Sequence, residues 1–304
     1  MTQRPTLRIG TRGSRLARWQ ADWVAGQLSD LDIDVEMVLI STQGDLRDGP
    51  IEDLGGQGVF TREIQRALLE KRIDVAVHSL KDLPTDPVEG LGLAVVPARE
   101  SAADVLLTAD NGGLESLPAG CRVGTGSLRR QAQLLHANPE LDVQPIRGNV
   151  ETRIAKLDKA EYGAIVLAEA GLKRLQLEHR ISQVLPTTIV LPAVGQGALG
   201  LETRIDDNDT CRLLAPLDHA ESHAAVIAER TLLATLRGGC LAPIGAWGRW
   251  DDSQLVLDAV CLDEKGTQRL AAGGLSDGQE PAQLGEQVAQ DLISAGALEL
   301  IGRS

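Results

Sequence analysis

The sequence predicts an α/β protein of two similar units with mostly parallel sheets, followed by a smaller α+β unit with an antiparallel sheet. Three observations predict it. Through the first two thirds, short apolar runs alternate with amphipathic helical segments, the rhythm of βαβ units. One phrase is written twice, as Arg8-Ile-Gly-Thr-Arg-Gly-Ser14 and again as Arg122-Val-Gly-Thr-Gly-Ser127. After about residue 216 the rhythm changes to one long helix, three strand-like runs and a closing helix.

In chain order, strands are expected at 7–11, 35–40, 74–78, 91–96, 121–125, 142–146, 164–168 and 188–191, where Val, Ile and Leu cluster between turn residues. Helices are expected at 15–29, 60–71, 127–137, 149–160 and 171–177. Each copy of the doubled phrase is an apolar strand that breaks at Gly-Thr and reaches a Ser, a preferred N-cap. The helix that follows carries arginine in its first turn: Arg15 and Arg18 in one copy, Arg129 and Arg130 in the other. Helix N-termini offer unpaired N–H groups and a partial positive charge, and guanidinium adds planar donors that suit carboxylate or phosphate. Two such junctions predict two units that jointly hold a ligand with many negative charges. A third junction, Arg147-Gly-Asn-Val-Glu-Thr-Arg153, places arginine on both sides of the cap residue Asn149. The last unit is read as a helix over 220–236, strands at 244–249, 254–262 and 268–273, and a helix over 281–295. Residues 42–58 are polar and rich in glycine, the composition of a lid or a disordered loop.

With 304 residues, 43% of them hydrophobic, the chain has material for two or three packed domains. A net charge of −13 argues against nucleic acid or an anionic membrane as partner, so its strand-end arginines serve a small anion. The N-terminus lacks the apolar stretch of a signal peptide, and no run reaches membrane-spanning length. The four cysteines show neither CxxC spacing nor a disulfide framework, which predicts reduced thiols in a cytoplasm and no metal site.

Chemistry is expected at three places. His78-Ser-Leu-Lys-Asp-Leu-Pro84 follows an apolar strand and puts a hydroxyl (Ser79), an ammonium (Lys81) and a carboxylate (Asp82) at its carboxyl end, where open α/β sheets hold ligands. The same residues also read as a solvated turn. Arg12, Arg129, Arg130, Arg147 and Arg153 all fall at equivalent strand ends, and Arg174 lies on the short helix after the strand at 164–168. Gly238-Gly-Cys240 places a thiol on a tight connector, whereas Cys121, Cys211 and Cys261 read as inert apolar residues. No histidine adjoins Cys240 in sequence to activate it.

Ordered segments along nearly the whole chain resemble the porphobilinogen deaminase family, the hydroxymethylbilane synthases. They are Leu7-Arg-Ile-Gly-Thr-Arg12 with Ser14, Gly55-Gly56 with Gly58 and Phe60, Asp74 through Pro84, Gly124-Thr-Gly-Ser-Leu-Arg-Arg-Gln131, Arg147-Gly-Asn-Val150 with Thr152-Arg153, Leu191-Pro-Ala-Val-Gly-Gln-Gly197, and Gly238-Gly-Cys240 with Pro243-Ile-Gly245. The resemblance implies two lobes like those of periplasmic binding proteins and a small third domain. Domain 1 would comprise 1–97 and 196–215, domain 2 98–195, and domain 3 216–304.

The resemblance also implies a reaction. Four porphobilinogen molecules condense head to tail with loss of ammonia onto a dipyrromethane primer, and hydrolysis then releases hydroxymethylbilane. It places the primer on Cys240 by a thioether, and at Asp82 the carboxylate, expected to be buried, that faces the cationic azafulvenium. An unshifted Asp, near pKa 3.9, is a weak acid at neutral pH, which favours charge stabilisation over general-acid work unless burial raises it. Arg12, Ser14, Lys81, Thr125, Ser127, Arg129, Arg130, Arg147, Arg153, Arg174 and Gln196 are implied to contact cofactor or substrate carboxylates, and Phe60 to stack on the incoming ring. The chain departs from the family in its lid, where Asp53 and Gln57 stand at places that often hold lysine and leave Arg47 as the loop's basic residue. A monomer is implied. The competing reading is a binding or sensing module for a small carboxylate, which would need neither the thiol nor Asp82.

Overall fold

The computed structural model describes residues 4–41, 61–237 and 242–302. The lid at 42–58, with Arg47, Asp53 and Gln57, lies outside them, as do Phe60 and Cys240. The elements in order are β1 (Thr6–Thr11), α1 (Arg15–Ser29), β2 (Asp34–Leu39), α2 (Arg62–Leu69), β3 (Val75–Ser79), β4 (Leu91–Val95), β5 (Asp104–Thr108), β6 (Arg122–Gly124), α3 (Leu128–Ala137), β7 (Asp142–Gln144), α4 (Val150–Asp158), β8 (Ala164–Ala168), α5 (Glu169–Arg174), β9 (Gln183–Val184), β10 (Leu199–Arg204), α6 (Asn208–Leu214), α7 (Ala220–Thr235), β11 (Ile244–Asp251), β12 (Gln254–Leu262), β13 (Arg269–Ser276), α8 (Pro281–Ser294) and α9 (Ala297–Ile301). Short 3-10 turns, among them Leu80–Asp82, join some of them.

The chain divides into two compact units, Met1–Arg99 with Ala198–His223, and Glu100–Gly197 with Ala224–Ser304. The first holds a five-stranded sheet of order β2-β1-β3-β10-β4, in which only β10 runs against the rest. Val75, Val77 and Ile9 pack one face against Ala21, Val24 and Leu28 of α1, and Ala76 and Ile40 pack the other against Ile64, Ala67 and Leu68 of α2. Burial on both faces explains the continuous apolar run of β3.

The second unit repeats the plan. Its sheet has the order β7-β6-β8-β5-β9, with β5 alone antiparallel to its neighbours, so each strand has a counterpart in the first sheet. The duplication heard in the sequence is thus a duplication of topology. The three-stranded antiparallel sheet β11-β12-β13 belongs to the same unit. α7, α8 and α9 cover one face of it. On its other face Val260 and Leu262 meet Ala132 of α3 and Leu191. The loop between β12 and β13 comes so close to α3 that a Cβ at Gly266 would lie 2.3 Å from the Ala132 carbonyl, and His136 Nδ1 lies 2.9 Å from the Gly266 oxygen.

Two sequence expectations fail here. Residues 188–191 form no strand, because α3 side chains meet their polar backbone groups: Leu191 N–H donates to Gln133 Oε1 at 2.7 Å, and the Leu191 carbonyl accepts from Arg129 Nη1 at 2.6 Å. Conversely β5, β9 and β10 were absent from the expected strands. β10 carries Glu202 and Arg204 at 5% and 8% exposure, charges buried by pairing, which disguises a core strand as a polar segment.

Candidate active site

All three expected caps form. Ser14 Oγ accepts from Ala17 N–H at 3.3 Å, Ser127 Oγ from Arg130 N–H at 3.5 Å, and Asn149 Oδ1 from Thr152 N–H at 2.8 Å. The doubled phrase therefore builds two capped strand-to-helix junctions, and their surroundings differ.

In the first unit the junction opens on a recess lined by Arg12, Ser14, Gln20, Thr61, Ile64, His78, Ser79 and Asp82, with Leu16, Ala17 and Val77. Sequence-distant candidates thus meet: the end of β1, the cap of α1 and the end of β3. Gln20 Nε2 donates to Ser79 Oγ at 2.7 Å and ties the end of β3 to α1. Leu80 and Leu83, 1% and 6% exposed, anchor the 3-10 turn, so Lys81 and Asp82 point away from the core. Asp82 is exposed, not buried as expected, because the turn gives its inward places to the leucines. Lys81 is half-buried beside it and does not line the recess. Arg15 and Arg18 face outward, and Arg8 serves the fold through Asp74 at 2.7 Å.

In the second unit the arginines turn inward. Arg129 and Arg130, 4% and 5% exposed, converge on the fully buried Asp104. Arg129 Nη1 donates to Oδ2 at 2.6 Å and Arg130 Nε to Oδ1 at 2.8 Å, while Gln196 Nε2 reaches Oδ1 at 2.9 Å. Burial raises the Asp104 carboxyl, but the two guanidinium charges outweigh it and hold it far below the usual carboxylate range. Burial also lowers Arg129, and lowers Arg174 to about 10. Arg174 Nη2 donates to the Gly197 carbonyl at 2.6 Å. Two guanidiniums against one carboxylate leave a net positive charge in the cluster, and Arg129 Nε is buried with no hydrogen-bond partner among the described residues. Buried Thr125 accepts from Ser127 N–H at 3.2 Å. Arg147 is exposed, and Arg153 Nε donates to the Gly148 carbonyl at 2.8 Å.

Sequence reading did not name Asp104, Glu202, Gln20 or Thr61 as site residues. No local signal marked Asp104, whose partner Arg129 lies 25 residues away in the chain and meets it only in the fold. Among the described residues no group of three or more His, Cys, Asp or Glu is placed to hold a metal ion, and no helix is long and apolar enough to cross a membrane.

A recess at strand ends, with guanidinium, hydroxyls and one carboxylate around it, lies where α/β proteins hold small ligands. A family model described as "Porphobilinogen deaminase, dipyromethane cofactor binding domain" matches residues 7–212, and "Porphobilinogen deaminase, C-terminal domain" matches 223–294. A porphobilinogen deaminase of Desulforudis audaxviator is 48% identical over 298 residues, covering 97% of this chain and 96% of the relative. The chain belongs to the porphobilinogen deaminase family, enzymes with a dipyrromethane cofactor. Among solved structures, the methionine-binding protein MetQ is similar at 14% identity and a TM-score of 0.46, over 76% of this chain and 94% of that one. The periplasmic aliphatic sulphonate binding protein SsuA of Escherichia coli is similar at 14% identity and a TM-score of 0.40, over 77% and 71%. Both scores are too low to bear on function.

Proposed function

We propose that the protein condenses four porphobilinogen molecules head to tail onto a dipyrromethane held by a thioether at Cys240, releasing ammonia at each step and finally hydroxymethylbilane by hydrolysis. The observation that carries this reading is the convergence of Arg12, Ser14, Ser79 and Asp82 on one recess. Porphobilinogen offers acetate and propionate groups to a guanidinium and hydroxyls, and an aminomethyl carbon that becomes cationic when ammonia leaves. The C–N bond breaks with its electron pair going to the protonated amine, and the ring nitrogen shares the positive charge left on carbon. Asp82, at the exposed end of its turn, balances that charge and takes up the proton lost when the next carbon–carbon bond forms. Lys81 assists binding from the same turn, and Phe60 would stack on the incoming ring.

Residues of the second unit fit the cofactor. Its acetate and propionate groups suit a cluster with surplus positive charge and an orphaned buried donor at Arg129 Nε. Thr125, Ser127, Arg129, Arg130, Arg147, Arg153, Arg174 and Gln196 would hold it. When bound, the dipyrromethane supplies the nucleophilic pyrrole carbon that accepts the first substrate. In this reading the protein acts as a cytoplasmic monomer, with residues 216–304 as the attachment domain. The intact mass of the purified protein tests it. A dipyrromethane adduct, absent in Cys240→Ser, is expected, and an unmodified chain in an active preparation would refute it.

A further inference from the structure

The face of β3 away from α1 carries a polar assembly that the proposed reaction leaves without a role. His78 is 4% exposed and lines the recess. Its Nε2 lies 3.0 Å from Glu202 Oε2, and Glu202 Oε1 accepts from Gln65 Nε2 at 2.9 Å. A carboxylate only accepts, so against the Glu202 carboxylate the proton of this bond belongs on Nε2, and in the neutral imidazole the lone pair is then on Nδ1. Gln65 fixes Glu202 from α2 just as Gln20 fixes Ser79 from α1, so both faces of the strand end are clasped to a helix. The charged groups lining the recess are Arg12 and Asp82, and Glu202 lies behind the imidazole. Porphobilinogen has two kinds of polar group: carboxylates, which accept, and pyrrole and ammonium N–H groups, which donate. Arg12 suits the first kind. A neutral imidazole nitrogen suits the second without the desolvation cost of burying another carboxylate in the recess wall.

We propose that His78, held as the Nε2–H tautomer by Glu202, is a substrate-binding residue whose Nδ1 accepts a hydrogen bond from an N–H of porphobilinogen. This rests on the proposed function, since the donor belongs to that substrate. In His78→Gln the side-chain amide keeps an N–H for Glu202 and removes the Nδ1 acceptor. Steady-state kinetics of the holoenzyme on porphobilinogen should then show KM raised roughly tenfold, the worth of one hydrogen bond, with kcat much less affected and the melting temperature kept. Gln65→Met, which loosens Glu202 but spares the imidazole, should lower the melting temperature and raise KM less than His78→Gln does. The 15N spectrum of histidine-labelled wild type, with five histidines and the His78 signal assigned by its loss in His78→Gln, should show a protonated Nε2 and an unprotonated Nδ1. An unchanged KM in His78→Gln, a protonated Nδ1, or an equal rise of KM in Gln65→Met would overturn the assignment while wild type still converts porphobilinogen. A wild type that does not convert it would overturn the proposed function and this role with it.

Discussion

Replacing Asp104 by Asn removes the negative charge at the centre of the second unit and nearly nothing of its shape. The carboxylate accepts from Arg129 at 2.6 Å, Arg130 at 2.8 Å and Gln196 at 2.9 Å, and it is wholly buried. Asn keeps one acceptor oxygen and turns an N–H donor toward groups that are themselves donors. Two buried guanidiniums then face each other with no counter-ion. Removing one partner of a buried ion pair costs about 3–5 kcal/mol, and 4 kcal/mol lowers the folded-to-unfolded ratio on the order of a thousandfold. Urea unfolding of the holoenzyme at neutral pH measures this as a lower midpoint at an unchanged slope. The acid side gives an independent reading. A carboxyl depressed in the folded state contributes stability that is present above its unfolded pKa, about 3.9, and is lost as pH falls toward its folded value. Wild type therefore loses this contribution progressively below about pH 4, and the variant, having none to lose, falls less steeply there. A loss under about 1 kcal/mol together with an unchanged acid slope would refute the view that Asp104 is the counter-ion of the arginine pair.

Two further variants probe the site and the crossover. Asp82→Asn should retain the cofactor adduct by mass while single-turnover ammonia release slows by at least about a hundredfold, and near-normal release would remove Asp82 from the chemistry. Gly197→Ala should destabilise by about 2 kcal/mol or more in calorimetry, because φ is +85° there and the new Cβ would sit 2.3 Å from the Glu100 carbonyl and 2.6 Å from that of Ser101. An unshifted melting transition would show that the turn yields.

Where a side chain's partner was local, the sequence told the truth. α1 at Arg15–Ser29 and β12 at Gln254–Leu262 carry the bounds expected of them, since caps and hydrophobic period are local signals. The Ser14, Ser127 and Asn149 caps were legible for the same reason. What failed was non-local. Whether an arginine faces a ligand or a buried carboxylate depends on a strand elsewhere in the chain, so Arg12 and Arg129 look alike in sequence and differ in the fold. β10 was missed because Glu202 and Arg204 look like surface charges until His78, Gln65 and Asp74 are placed beside them. Asp82 erred in the other direction, since Leu80 and Leu83 took the buried places of its turn.

The single antiparallel strand of each sheet has a consequence for synthesis on the ribosome. The sheet of the second unit draws all its strands from one continuous stretch, Asp104 to Val184, and is complete once that stretch emerges. The first sheet starts earlier and finishes later, for β10 must enter between β3 and β4, and the His78–Glu202 bond closes a separation of 124 residues. Until then β4 has no strand to pair with, and the polar groups of His78 lack their carboxylate. Of the two five-stranded sheets, the one begun first is thus completed last, and its recess takes its final form only after the other five-stranded sheet has all its strands.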